Sequence, residues 1–300
     1  LDWSRFLMRK QFTETIEYLF SQDENLVLLL CDIGVYGFRN SFKNYPDRIY
    51  NIGIMEQSTV SIAAGLSLSG YTPTIHTIAP FLIERAYEQI KIDLCYNKLK
   101  ANLVSVGGTF DYSGLGCTHH CPNDVTLINN LPDTNVFLPG NRNEFNYLFN
   151  KYYNSGKINY FRLTEHSNKT HFETNSKQNL ILKEGSDMTI LVVGNLLDNV
   201  LEATYDLDVS IVYTNTIKPF DISILKKFSN QKLLIFEPYT SGVLLNNIIN
   251  SGYNKFKGIY NYGIPNKFID KYGSYSDLIK YVSLDPQSIR ESILNKINDW

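Results

Sequence analysis

Three hundred residues are more than one average domain and fewer than three. Lys and Arg number 28 against 30 acids, a net charge of −2, so the chain has no global field to draw in nucleic acid or an anionic membrane. A hydrophobic fraction of 43%, with 21 Tyr and 17 Phe, excludes disorder on composition and supplies a sizeable core.

The longest apolar run, Leu26 to Cys31, is strand-sized and far short of a membrane helix. No basic segment followed by an apolar core opens the chain, so no secretion signal is expected. Without one, the sparse cysteines Cys31, Cys95, Cys117 and Cys121 fit reduced thiols in a cytoplasmic protein. Met8, ahead of Arg9-Lys10, is a candidate native start, which would make residues 1–7 an extension.

In chain order, Lys10 to Ser21 reads as a helix and Asn25 to Cys31 as a buried strand ending at Asp32-Ile33-Gly34. Glu56 to Ser69 is a helix rich in small residues, closed by Gly70. Thr72 to His76 is a strand, and Pro80 to Cys95 is a helix that opens with proline. Asn102 to Val106, Asn135 to Leu138 and Ile158 to Leu163 are further strands, separated by helices near Asn123 to Asn130 and Asn143 to Tyr153. From Thr164 to Asp187 the apolar period lapses until Leu180-Ile181-Leu182, which marks a linker. A second series follows: strands Met188 to Val193, Val209 to Tyr213 and Lys232 to Phe236, with helices Leu196 to Tyr205, Ile222 to Phe228 and Val243 to Ile249. The expected fold class is α/β, two doubly wound domains at 8–170 and 186–300, with parallel strands joined by right-handed crossovers.

The richest stretch for chemistry is Pro46 to Gly70, PDRIYNIGIMEQSTVSIAAGLSLSG. Glu56 opens a helix of mostly small and apolar residues, where a carboxylate is costly unless paired, although the helix N-terminus offsets part of that cost. On spacing alone it could equally be a glutamate that complements the helix dipole. Cys117-Thr118-His119-His120-Cys121 crowds its candidate ligands too closely for a structural zinc site, and no second pair follows. No metal is expected on this chain.

These residues carry a resemblance. The segment resembles the pyrimidine-binding domain of transketolase and 1-deoxyxylulose phosphate synthase, in Arg48, Asn51, Gly53, Ile54, Glu56 and Gln57, and in Ala63 to Gly70. The likeness continues through Phe81-Leu82, Arg85 to Ile90, Gly116 to His119, Leu131-Pro132 and Thr216 to Asp221, in order along nearly the whole chain. It implies a pyrimidine-binding domain followed by a transketolase C-terminal-like domain, and thiamine diphosphate as cofactor. The family glutamate, here Glu56, hydrogen-bonds N1′ of the aminopyrimidine and promotes the imino tautomer that takes the thiazolium C2 proton. A carboxyl held away from water suits that task, because it shares a proton with a weakly basic ring nitrogen. Phe81 matches the aromatic that stacks on the aminopyrimidine, and Arg85 follows it in the same cofactor-binding motif. Asp32 falls where related enzymes place an acid facing the thiazolium, at a strand end where ligands gather. His119 matches the histidine that reaches substrate oxygens and assists proton transfer. His120 lies beside it, and the spacing does not rank the two.

Departures are as informative. Transketolases that use sugar phosphates carry an acid where this chain has Leu115, an arginine for the phosphate where it has Glu165, and a further histidine at Gly107. A glutamate in place of a cation would repel phosphate, so the acceptor is expected to be a nucleotide-linked sugar or an unphosphorylated carbonyl compound. Arg162 is the nearby candidate substitute for binding substrate.

The family also needs a domain that holds the diphosphate through Mg²⁺ or Ca²⁺, marked by Gly-Asp-Gly and an Asn about 25 to 30 residues later. No Gly-Asp-Gly occurs here. The chain is therefore expected to be the C-terminal half of a split transketolase, active only with an N-terminal diphosphate-binding subunit that holds the metal, as an α2β2 heterotetramer acting on a small sugar substrate. Two alternatives are the beta subunit of a 2-oxoacid dehydrogenase, which Leu115 favours, and a non-catalytic scaffold, against which the joint presence of Glu56, Phe81 and His119 speaks.

Overall fold

The computed structural model of the chain describes residues 7–170 and 178–298. Its first element, α1 (Leu7–Gln22), turns Met8, Phe12, Ile16, Leu19 and Phe20 to one face, the spacing of an amphipathic helix, and packs them on Leu26, Leu28 and Leu30. Those leucines belong to β1 (Leu26–Leu30), which is apolar and buried at every position, as a strand covered on both faces should be. Next come α2 (Arg39–Asn44), β2 (Ile49–Asn51), α3 (Glu56–Leu68) and β3 (Thr72–Ile78). Gly70, at φ +92°, takes the left-handed position just beyond α3.

The single helix expected over 80–95 is composite: a π-helical turn Pro80–Arg85, then α4 (Tyr87–Gln89), then a second π-helical stretch Ile90–Tyr96. The half containing these is completed by β4 (Ala101–Val106), α5 (Asp124–Asn129), β5 (Thr134–Phe137), α6 (Arg142–Tyr152) and β6 (Ile158–Arg162). Beyond it run β7 (Asn179–Lys183), β8 (Met188–Val193), α7 (Leu197–Ala203), β9 (Ser210–Thr214), β10 (Thr216–Lys218) and β11 (Lys232–Thr240). The chain then continues through α8 (Val243–Asn250), β12 (Gly258–Ile264), α9 (Tyr275–Tyr281) and α10 (Pro286–Asn298). Among the described residues no helix is long and apolar enough to cross a membrane.

The strands form two sheets, ordered β10-β5-β6-β4-β3-β1-β2 and β12-β11-β8-β9-β7. Pairing is parallel except at two edges, where β10 runs antiparallel to β5 and β7 antiparallel to β9. The first exception has a topological cause. β10 follows β9 after a single residue, so the chain steps from the second sheet into the first with no crossover helix to reverse it. β7 lies inside the stretch expected to be linker, part of which, 171–177, falls outside the described residues. The helix expected over Ile222 to Phe228 is a 3₁₀ helix.

Charged groups are buried where the two sheets' halves meet. Arg162, at the end of β6, donates from Nε to Asp124 Oδ2 at 2.7 Å, from Nη2 to the Cys121 carbonyl at 2.9 Å and from Nη1 to the Pro238 carbonyl at 3.2 Å. The Tyr160 hydroxyl donates to the same Asp124 oxygen at 2.6 Å. Gly108 has to be glycine here, since a Cβ would lie 2.5 Å from Arg162 Nε. A second buried acid, Glu144, accepts from Tyr213 Oη at 2.6 Å, the Gly140 amide at 2.8 Å and Asn215 Nδ2 at 3.1 Å, again tying one half to the other.

Removing one member of a buried ion pair strands the other charge. Arg162→Met is therefore expected to cost about 3–5 kcal/mol in urea unfolding. The double variant Arg162→Met/Asp124→Asn should recover part of that loss.

Candidate active site

All the inner strands of the first sheet run the same way, so the ends of β1, β2, β3, β4 and β6 share one edge. Strand order reverses around β1, which sits between β2 and β3, and crevices for ligands form at such reversals. Asp32, just past β1, sits at φ 60° with an exposed carboxylate. Its amide donates to Asn51 Oδ1 at 2.9 Å, and Asn51 Nδ2 donates back to Asp32 Oδ1 at 3.2 Å. Asn51 Oδ1 also accepts the Gly53 amide at 3.3 Å, which ties Asp32 to the turn that delivers Glu56.

Glu56 begins α3 with 1% of its surface exposed. Glu56 stands in the first turn of α3, which no side chain caps and where the helix N-terminus favours negative charge. Arg85 Nη1 donates to Glu56 Oε2 at 2.7 Å, while Oε1 has, among the described residues, only the long contact with Thr77 Oγ1 at 3.5 Å. Arg85 and Phe81 lie four residues apart on the first π-helical turn, and the guanidinium carbon stands 4.2 Å above the Phe81 ring centre. π-helical turns of this kind recur at functional sites. His119 approaches the same ring edge-on, 5.3 Å between centres, with Nδ1 hydrogen-bonded to Thr118 Oγ1 at 2.9 Å. Glu56, Arg85, Phe81 and His119 thus form one continuous set of contacts on the α3 side of the sheet edge.

Two expected site residues stand elsewhere. Arg162 is 5% exposed and all three of its guanidinium nitrogens are engaged within the protein, which corrects the expectation that it meets substrate. His120 points away from His119, against Phe110 at 5.1 Å between ring centres. Its Nε2 donates to the Ser113 carbonyl at 3.4 Å, its buried Nδ1 has no partner among the described residues, and burial holds its pKa below the usual imidazole value. It lines a cavity of about 300 Å³ between the two halves, with Glu84, Cys117, Pro122, Thr240 and Phe268. Of the two histidines only His119 faces Phe81.

A larger cavity, about 720 Å³, opens on the α1 side of the same edge, lined by Arg9, Lys10, Phe12, Tyr36, Arg39 and His76. Successive residues of a strand point to opposite faces, so on β3 Thr77 reaches Glu56 while His76 serves this cavity. The His76 Nδ1–H donates to the Val104 carbonyl at 2.9 Å, and burial, with the nearby charge of Arg9, lowers its pKa to about 3. The ring is therefore neutral, with Nε2 left as an acceptor. Nothing in the sequence pattern singles out Arg9 or His76: one lies on a helix surface and the other inside a strand, and only the fold brings them to a common wall.

An acid at a helix start, an aromatic ring and a histidine thus gather at the carboxyl edge of a doubly wound sheet, the place where α/β proteins bind ligands. The profile of the family described as "Transketolase, pyrimidine binding domain" matches residues 5–169, and the chain belongs to that family, whose enzymes depend on thiamine diphosphate. It is 32% identical over 288 residues to an uncharacterized 33.6 kDa protein in the fasciation locus of Rhodococcoides fascians, covering 94% of this chain and 92% of that one. It is 31% identical to one of the subunits of the apulose-4-phosphate transketolase of Actinobacillus succinogenes, over 61% of this chain and 62% of that one. The match to 1-deoxy-D-xylulose-5-phosphate synthase of Mannheimia succiniciproducens, 27% identical, covers 91% of this chain but spans only 46% of that protein. Among solved structures, a split gene transketolase described as an inactive β4 tetramer superposes with a TM-score of 0.82 at 22% identity, over 97% of each chain. Transketolase from Campylobacter jejuni gives 0.77 at 16% identity over 96% of this chain and 46% of that one.

The lowered pKa of His76 has a measurable sign. A histidine depressed from 6.5 to about 3 on folding leaves the unfolded chain binding more protons between those values. Stability present above the unfolded value is thus lost as pH falls below about 6.5. His76 ring signals in NMR should show no inflection between about pH 5 and 8.

Proposed function

We propose that this chain is the pyrimidine-side subunit of a heteromeric, thiamine diphosphate-dependent transketolase-like enzyme that moves a two-carbon ketol unit onto a carbonyl acceptor. The observation that carries this reading is Glu56, nine-tenths and more buried at the sheet edge and within reach of Phe81 through Arg85. An aminopyrimidine requires a carboxyl for its ring nitrogen and a flat apolar face, and Glu56 with Phe81 supplies both. When bound, thiamine diphosphate supplies a carbon nucleophile able to hold the electron pair released from a carbonyl compound.

The roles of the chain's own groups follow from their contacts. Arg85 fixes Glu56 Oε2, leaving Oε1 to share a proton with the ring nitrogen. His119 stands beside Phe81 and moves protons at substrate oxygens. Asp32 lends a negative charge at the end of β1. The diphosphate and its Mg²⁺ or Ca²⁺ belong to a partner subunit, with an α2β2 assembly the symmetric solution. A divided enzyme is supported by the relatives, of which one is a single subunit of a transketolase and another a split gene transketolase.

The 720 Å³ cavity refines the acceptor. Its wall carries Arg9, Lys10 and Arg39 against Glu14, which pairs with Lys10 at 3.7 Å; the net positive lining favours an anionic molecule, so a phosphorylated or nucleotide-linked sugar fits better than an unphosphorylated carbonyl compound. Arg9 and Lys10 come from α1 and Arg39 from α2, and the charge of Arg9 reaches Tyr112, as does that of Glu165. Leu115, exposed beside the His119 loop, keeps the 2-oxoacid dehydrogenase reading as the second choice.

Glu56→Ala, assayed with the diphosphate-binding subunit, should lower kcat by about 10²-fold or more; full turnover would instead make the chain a scaffold. Transfer from a ketose, with no CO₂ released from pyruvate, separates the first reading from the second. Arg9→Met should raise KM for a phosphorylated acceptor about tenfold while leaving KM for the matching free sugar unchanged.

A further inference from the structure

The loop that carries His119 is held in a way its own motif does not explain. It leaves β4 at Gly107, closes on itself through paired amides and carbonyls of Thr109 and Cys121, and presents His119 near its far end. Tyr112, five residues into the loop, lies over Gly107 so closely that a Cβ there would sit 2.4 Å from its ring, and Gly107 accordingly adopts φ +77°. The Tyr112 ring stands edge-on to His119, 6.3 Å between centres. Tyr112 is therefore, with Phe81, one of the two rings that stand edge-on to His119.

What holds Tyr112 is its neighbour. Asp111, 8% exposed, accepts from Thr164 Oγ1 at 2.8 Å through Oδ1 and from the Glu165 amide at 3.2 Å through Oδ2. Its own amide donates to the Gly108 carbonyl at 3.1 Å. Both carboxylate oxygens thus reach across from the loop after β4 to the loop after β6. We propose that Asp111 is a positioning residue for His119, clamping these two loops together and so pressing Tyr112 against the histidine ring. This rests on the reading that His119 works on substrate oxygens.

The charged groups around the clamp make it titratable. Burial, reinforced by the negative charge of Glu165 and opposed by the Thr164 hydrogen bond and Arg162, pushes the Asp111 carboxyl up to about 7. From the second half Tyr275 faces it, with its hydroxyl receiving Asn195 Nδ2 at 3.0 Å and its ring stacked on His166 at 3.6 Å. The ionised carboxylate accepts from both donors. Once protonated, the carboxyl can no longer accept from both: a proton on Oδ2 meets the Glu165 amide donor, and a proton on Oδ1 makes the Thr164 hydroxyl give up its donation and accept beside the His166 amide. The clamp is complete above neutrality and loosens below it.

Carbon-13 NMR of the Tyr112 ring in the full chain tests this directly. The signals should move with pH around a midpoint near 7 in the wild type. Thr164→Val removes a hydrogen bond to the charged form and should shift that midpoint upward. Asp111→Asn, which keeps the shape without the charge, should abolish it. In enzyme reconstituted with the diphosphate-binding subunit, wild-type kcat should fall about fivefold on the acid side of the same midpoint, the rate equivalent of one net hydrogen bond, with KM unchanged. Asp111→Asn should flatten that limb. A Tyr112 midpoint that survives in Asp111→Asn, or is missing from the wild type, overturns the proposal; if Asp111→Asn does not fold, an unmoved midpoint in Thr164→Val does the same. A Tyr112 titration with no matching limb in kcat also overturns the positioning role. Because the NMR arm needs no turnover, failure of the reaction assigned above would be recognised separately.

Discussion

The guanidinium of Arg162 touches three separate stretches of chain, and most of the architecture around the site follows from that contact. Through Asp124 it fixes the start of α5, through the Cys121 carbonyl the end of the His119 loop, and through the Pro238 carbonyl the long strand β11 of the second sheet. Buried charges are tolerated only when paired and hydrogen-bonded, so each contact constrains the others. Gly108 is bare because this side chain runs past it. A residue that aligns close to a substrate site thus serves as the hub between two sheets, and the loop bearing His119 inherits its position from that hub.

Around this anchor the sheet edge is divided by strand geometry. Alternation along β3 sends Thr77 to one face and His76 to the other. On the α3 face Glu56, Arg85, Phe81 and His119 make a compact polar and aromatic site. On the α1 face a roomier cavity, with cations from α1 and α2, meets the same edge. A doubly wound sheet provides two such walls, one tight and one open, on its two sides where strand order reverses.

Legibility varied with how local the cause was. β1, β4 and β8 were readable because an inner strand is a short, mostly apolar run buried at every position. β10 is three residues long, and α10 fully buries only Ile289 and Ile293, so neither carries a strong local pattern. The antiparallel edge at β10 follows from the path of the chain between sheets, which no window of residues contains. Glu56, Phe81, Arg85 and His119 were legible because the motif that carries them is contiguous in short pieces. Arg162 and His120 were misplaced for the same reason: proximity in sequence to functional positions says nothing about which way a side chain faces.

The sequence by itself determined the α/β class, the order of the main strands and helices, the family, and the residue types that meet at the site, because periodicity and short motifs are properties of neighbouring residues. Only the tertiary structure decided that His119 and not His120 faces Phe81, that Arg162 is a buried hub, that β10 completes the first sheet, and that Arg9 and His76 line one cavity. Those outcomes depend on burial and on contacts between residues far apart in the chain, where the cost of leaving a charge or a polar atom unpaired selects one arrangement.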